Sequence, residues 1–169
     1  MLRQVHDDDL PVMLRWRNHP KVRAASFTTH AIGEEEHAHW WAGVRADPSR
    51  RVLVYEHGGT ACGVVTFSGL SPERPVASWG FYLDLDGLER SGGLISAWFG
   101  IERDAIDHAF GPLGLTTLRG EVLAGNRPVR LLHSRFGFEE TGGYRRVIDG
   151  ETVDVVTVEV TRASREERA

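Results

Sequence analysis

The sequence predicts an α/β (α+β) fold built on a mixed, mostly antiparallel central sheet with helices on both faces. Three observations predict it. Two helical patterns come first and are followed by three strand-like runs joined through short turns. A long amphipathic helical pattern over Leu94 to Phe110 then interrupts the strands. A further strand, a short helix and a hairpin close the chain, which is more than one layer of helices or strands can absorb. With 169 residues, 41% hydrophobic and 26% charged, the chain is in the globular range. No repeat or compositional break precedes the tail, so one domain is expected over 1–162, with a charged, frayed tail over 163–169.

The first helix is predicted from Leu10 to about Arg17. Asp7, Asp8 and Asp9 favour its positive N-terminal end, Pro11 fits its first turn, and Leu10, Met13, Leu14 and Trp16 give an apolar stripe. Pro20 stops it. A second helix follows Gly33, opened by Glu34, Glu35 and Glu36, with Trp40 and Trp41 behind. Strands are predicted over 51–56, 61–67 and 76–83, the first two joined by a His57-Gly58-Gly59-Thr60 turn. A glycine-containing loop over 87–93 leads into the long helix. Leu94, Ile95, Trp98, Ile101, Ala105, Ile106 and Ala109 form its apolar face, and Gly111-Pro112 ends it. A strand over 117–123, a helix over 127–136 and a hairpin of 147–148 with 152–160 about Asp149-Gly150 complete the order.

Composition narrows the function classes. A formal net charge of -4 argues against a general nucleic-acid binder, which needs a basic surface. The single cysteine, Cys62, excludes an internal disulfide and reads as a small buried hydrophobe. Met1 to Leu10 carries three aspartates where a signal peptide needs an apolar core. No apolar run approaches the roughly 20 residues of a membrane span. The expectation is a cytoplasmic monomer or homodimer acting on a small molecule, without nucleic acid or membrane. His37 and His39 do not share a helix face, so no metal site is expected.

The strand-loop-helix in the middle of the chain is the natural place for a phosphate ligand. Free N–H groups and the positive dipole end at the start of the long helix attract anions, and glycine lets a phosphate approach the backbone. Arg90 can add a charge-assisted contact, and the backbone from Ser91 through Gly92, Gly93, Leu94 and Ile95 to Ser96 is the candidate cradle. The alternative is an ordinary glycine-rich turn. Further on, Asn126, Val129, Leu132, His133, Gly137 and Phe138 form a spaced set. The stretch from Val76 to Glu140 resembles the GNAT acyl-CoA N-acyltransferases. Their pattern there is an asparagine, a small residue three on, leucine at six, tyrosine at seven, and glycine-phenylalanine at eleven and twelve. Two departures stand out: Ile95 where the family's loop ends in glycine or alanine, and His133 in place of the tyrosine.

The resemblance implies a GNAT fold, acetyl-CoA as acyl donor and direct attack by an amine. An alkylammonium with a pKa near 10.4 must lose a proton first, which calls for a general base. Glu121 stands where relatives that acetylate protein N-termini carry a catalytic glutamate; the alternative is a solvent-facing strand residue. Asp84 and Glu56 are weaker candidates. His133 occupies the position of the tyrosine that protonates the departing thiolate, and imidazole can take that part; it is equally readable as a surface helix residue, with water or Tyr82 donating instead. Gly80 sits in an otherwise bulky strand and marks a bulge or a close backbone approach. The corresponding family strand splays and holds the pantetheine arm, so Phe81 and Leu83 are expected against the cofactor, with the Phe81 N–H as oxyanion donor. Asn126 resembles the asparagine that contacts the same arm.

The N-terminal part, Arg15-Trp16-Arg17-Asn18 with Val22-Arg23, then Glu35-Glu36-His37 and Trp40-Trp41, looks like the amino-sugar-nucleotide N-acetyltransferases of pseudaminic acid biosynthesis. Relatives that modify ribosomal-protein N-termini share parts of it. By that resemblance Arg17, Asn18 and Arg23 would hold a nucleotide diphosphate or sugar hydroxyls, and Trp16, Trp40 or Trp41 would pack on a ring, core packing being the alternative for the tryptophans; Trp79 is a further candidate acceptor contact. A peptide N-terminus or an antibiotic amine would need the same chemistry, and a module that binds acyl-CoA without catalysis is the alternative of another class.

Overall fold

The computed structural model describes residues 1–167. Its elements are β1 (Leu2–Gln4), a 3-10 turn (Asp7–Asp9), α1 (Leu10–Arg17), α2 (Pro20–Ala24), α3 (Glu34–Ala46), β2 (Arg51–His57), β3 (Thr60–Ser68), β4 (Val76–Leu83), α4 (Leu85–Ser91), α5 (Leu94–Phe110), β5 (Thr117–Leu123), α6 (Arg127–Arg135), β6 (Glu139–Ile148), β7 (Glu151–Thr161) and α7 (Arg162–Glu166). The strands form one sheet in the order β1-β2-β3-β4-β5-β7-β6. Every pairing is antiparallel except β4 with β5.

Both faces of the sheet are covered. On one, Met13, Trp16 and Val44 of α1 and α3 pack against Val52, Val54 and Val64. On the other, Ala97, Ile101, Ala105 and Ile106 of α5 pack against Leu53, Val65, Phe67 and Leu118. This two-sided burial explains why β2 reads as the unbroken apolar run Val52 to Tyr55 rather than as an alternation. Burial also pushes the Cys62 thiol up to about 11 and the Tyr55 phenol up to about 12.

Several boundaries differ from expectation. β1 is a three-residue edge strand, too short for a pattern to show; Arg3 holds it by bonding Asp9 at 2.7 and 2.8 Å and Glu56 at 2.6 Å. Pro20 stops α1 and also starts α2, where its missing N–H costs nothing at the first helical position. The expected loop over 87–93 is mostly helix α4. The Asp84 carboxylate caps it by accepting the Gly87 N–H at 3.1 Å, and a left-handed Gly92, φ 69°, ends it. β6 runs ten residues instead of two; nine of them are exposed and none is buried, so its pairing with β7 leaves no alternation in the sequence. The hairpin turn is Asp149-Gly150, with φ 52° and 81°. The expected tail forms α7 over Arg162–Glu166, capped by Thr161; residues 168 and 169 lie outside the described residues. Ile95, expected on the apolar face of α5, is 75% exposed.

Candidate active site

The one parallel pair makes the site. β4 and β5 are in register only from Val76 with Thr117 to Trp79 with Gly120; beyond that point the strands part. Gly80 stands at the parting. The β3–β4 pairing carries no register shift, so the glycine marks this divergence and not the bulge the sequence suggests. A Cβ at Gly80 would meet open space, whereas one at Gly120 would press on Val158 and the Trp79 indole.

Backbone direction in the gap follows from one hydrogen bond. The Asp84 N–H donates to the Cys62 carbonyl of β3 at 2.8 Å. N–H groups alternate along a strand, so those of Tyr82 and Gly80 also face β3. The N–H and C=O groups of Phe81 and Leu83 therefore face the side that β5 has left.

The cleft entered through this gap has a volume of about 810 Å³ and is lined from both faces of the sheet. Ser78, Gly80 and Tyr82 line it on the α1 side; Trp79, Phe81 and Leu83 line it on the α5 side. Burial raises the Tyr82 phenol, which keeps it protonated. On the α5 side the cleft meets Leu94 and Trp98 of α5 and Asn126, Val129 and His133. Asn126 also caps α6, accepting the Val129 N–H at 3.5 Å.

The helix start that could take a phosphate is narrower than the sequence suggests. The Gly92 and Gly93 N–H groups are spent on the Glu89 and Leu88 carbonyls at the end of α4, and Ser91 lies within α4. The Ala97 N–H already donates to the Gly93 carbonyl, so Leu94, Ile95 and Ser96 carry the free N–H groups of α5. A Cβ on Gly93 would come within 3.3 Å of the Ser91 hydroxyl and in ordinary contact with Leu88 and His57. Arg90 is exposed and lines a separate cavity of about 360 Å³ with Arg15, Trp16 and His19.

Glu121 lines the cleft, and its strand alternates so that Leu118 packs toward α5 while Glu121 is exposed on the α1 side. The Tyr144 hydroxyl of β6 donates to its Oε1 at 2.8 Å, and that bond raises the Tyr144 phenol. His133 lies on the opposite face and is buried, which overturns its reading as a surface residue. Its ring lies 4.9 Å from Phe138 and 5.6 Å from Trp79, and Nδ1 stands 2.6 Å from Oε1 of a fully buried Glu102. Glu102 escaped the sequence reading. The signal was there: it sits four residues from both Trp98 and Ile106, inside the apolar stripe of α5.

The acceptor end is roofed by the segment between α2 and α3, of which Ala25, Ser26, Phe27 and Thr28 line the cleft. Asn18 does not face the cleft; its amide bonds the Ile32 N–H and C=O, both at 2.8 Å, and so clamps this roof to α1. The tip of the β6–β7 hairpin holds the roof from the other side, with Arg146 over the Phe27 ring at 4.5 Å and Thr29 donating to Asp149. Arg17 does line the cleft. Its Nη2 donates to the Thr28 carbonyl at 3.1 Å, while its buried Nη1 has no partner among the described residues. Arg50 also lines the cleft, as does Lys21, which pairs with Glu89 of α4 at 3.5 Å. Arg23 lies outside the cleft, Trp16 is core against Met13 and Val54, and Trp79 faces α5, away from the acceptor end.

The chain resembles solved structures over nearly its whole length. One is a spermidine N-acetyltransferase from Vibrio cholerae in complex with CoA and spermine: 17% identity, 98% of this chain and 97% of that one covered, TM-score 0.83. Another is an N-acetyltransferase from Staphylococcus aureus Mu50: 22% identity, 95% and 97% covered, TM-score 0.74. At these identities the likeness is one of fold. No curated protein sequence matches the chain. The model of the acetyltransferase (GNAT) domain matches residues 1–139, through the diverging strands, the α5 start and the α6 residues that bound the cleft. The chain belongs to the GNAT family of acetyltransferases.

Proposed function

We propose that this acetyltransferase moves an acetyl group from acetyl-CoA to a primary amine on an acceptor that also carries an anionic group, as an amino-sugar nucleotide does. One observation carries the anionic part. Arg17 is a half-buried guanidinium whose Nη1 has no partner among the described residues, and burial lowers its proton affinity. Arginine keeps its charge regardless, so a desolvated guanidinium whose hydrogen bond goes to the neutral Thr28 carbonyl and whose Nη1 is left over calls for an anion. Arg50 adds a further positive charge to the lining of the cleft.

In this reading the Leu94, Ile95 and Ser96 N–H groups face the pyrophosphate. The Phe81 and Leu83 backbone holds the pantetheine arm in the gap, with Asn126 beside it. The amine enters from the α1 side and its lone pair attacks the thioester carbon. Glu121 takes the amine proton, the Phe81 N–H bonds the developing oxyanion, and the C–S bond breaks. The thiolate leaves on the α5 side, where His133 gives it a proton. Base and acid thus stand on opposite faces of the sheet, with the strand gap between them.

The fold neighbour bound to spermine keeps a polyamine acceptor as the competing reading. The test is a steady-state comparison of an amino-sugar nucleotide, the same sugar without phosphate, spermidine and a peptide N-terminus, with release of free thiol as readout. Arg17→Ala is expected to raise KM for the anionic acceptor about tenfold or more, the worth of one hydrogen bond to a charged group, with KM for acetyl-CoA unchanged. A higher kcat/KM for spermidine than for any anionic acceptor overturns the anionic reading. Tight acetyl-CoA binding without thiol release from any amine overturns turnover itself.

A further inference from the structure

We infer that Glu102 is a positioning residue of the acetyl transfer, fixing the tautomer of His133 so that Nε2 hands its proton to the departing thiolate. The inference rests on the reading of His133 as the proton donor and adds the group that makes it one. Three observations carry it. The Glu102 side chain is fully buried in α5, where an unpaired carboxylate is costly, so its presence needs a partner. That partner is His133: Nδ1 stands 2.6 Å from Glu102 Oε1. Finally, His133 lines the cleft at the gap, with the Phe81 and Trp79 rings 6.5 and 5.6 Å away, so the ring stands between the carboxylate and the place of the thioester.

The chemistry follows from the pairing. An Nδ1–H held by a carboxylate leaves Nε2 as the atom that gains or loses the mobile proton. In the charged form the imidazolium and the Glu102 carboxylate make a neutral pair inside the protein. When the amine nitrogen bonds the acyl carbon and the C–S bond breaks, the sulfur keeps the bonding electrons and takes the Nε2 proton. His133 is left neutral with its proton on Nδ1, still bonded to Glu102, and solvent restores the charge. Glu102 touches neither substrate nor cofactor. Burial raises the Glu102 carboxyl and the bond from His133 opposes that rise. The other charged groups near His133 are Arg130 of its own helix and Glu139 and Glu140 of β6, around a small cavity of about 300 Å³ on the side away from β4. Arg130 pairs with Glu140 at 2.7 Å. From β4 only the uncharged Trp79 and Phe81 rings approach.

The experiment compares wild type, Glu102→Gln, Glu102→Leu and His133→Phe by pH–rate profile from pH 6 to 10, with acetyl-CoA affinity and melting temperature as controls for folding. The ¹⁵N chemical shifts of the His133 ring are read alongside. Because the acid works protonated, activity is expected to fall above a basic limb. Glu102→Gln keeps an acceptor for Nδ1–H but removes the charge that favours the imidazolium. Its limb is expected to move about one pH unit or more toward lower pH, with kcat lowered at pH 8 and acetyl-CoA KM unchanged. Glu102→Leu is expected to lose the single Nδ1–H tautomer in the ¹⁵N spectrum, which Glu102→Gln retains. A Glu102→Gln profile superimposable on wild type, while His133→Phe is impaired tenfold or more, overturns the proposal and leaves His133 as the donor. A His133→Phe enzyme equal to wild type across the range overturns the donor reading and the proposal with it.

Discussion

At the scale of single residues, the cleft separates groups that are exposed from groups that are held. Glu121 is exposed and bonded to one phenol, so it can reach both water and an incoming amine. If it takes the amine proton, Glu121→Gln is expected to lower kcat by about 10²-fold at pH 7. The loss should narrow as pH rises toward the amine's own pKa near 10.4, because more of the acceptor is then already neutral. A Glu121→Gln profile equal to wild type at every pH removes the residue from the mechanism. Asn18 shows the opposite case. Both ends of its amide are bonded to the Ile32 backbone, and a residue so engaged has nothing left for a substrate.

At the scale of elements, the α4–α5 junction decides where an anion can sit. Two helices meet at Gly92 and Gly93, and the first closes by taking the N–H groups that the sequence alone would offer to a phosphate. The glycine that matters for backbone shape is Gly92, at φ 69°, because a β-branched residue is strained there. Gly92→Val is expected to cost about 1–2 kcal/mol, roughly 2–8 °C in melting temperature. It is also expected to weaken acetyl-CoA binding at least threefold by displacing the first turn of α5. Gly93, at φ -91°, lies where any residue is allowed, and its Cβ contacts are ordinary apart from the Ser91 hydroxyl. Gly93→Ala is therefore expected to cost less than half as much in both scanning calorimetry and titration calorimetry. Equal effects of the two substitutions would put the anion contact at Gly93 after all.

At the scale of the whole molecule, function rests on a sheet that stops being continuous halfway along one strand pair. The seven strands share one sheet, yet β4 and β5 are joined only from Val76 with Thr117 to Trp79 with Gly120, and the cleft opens to both faces beyond them. Gly80 lies at that mouth with open space where a side chain would stand. Gly80→Val should therefore fold with a melting temperature within a few degrees of wild type while raising acceptor KM at least tenfold, since the branched side chain enters the α1 half of the cleft. Acetyl-CoA, which the proposed mechanism holds from the α5 side, should bind as before. Loss of acetyl-CoA affinity with acceptor KM unchanged would mean that the two ligands enter from the faces opposite to those assigned.

The sequence by itself determined the order of the elements, the amphipathic α5, both glycine-containing hairpin turns and the family's spaced residues about Asn126 and Gly137. These are local properties: hydrophobic period, turn chemistry and residue spacing act over a few positions. It also carried Arg17, Glu121 and His133 as candidates. It did not show β1, α2, α4 or the length of β6, because short or fully exposed segments bury no periodic face and are fixed by pairing, capping and ion pairs with distant residues such as Glu56 with Arg3. Only the tertiary structure decided which candidates share the cleft. Trp16 and Asn18 adjoin Arg17 in the chain, yet one is core, one is a clamp, and Arg17 alone of the three lines the cleft. Glu102 and His133 are 31 residues apart and meet only because α5 and α6 pack side by side. A buried carboxylate is stable only beside its hydrogen-bonding partner, and that partner is chosen by the packing of helices, which no local pattern records.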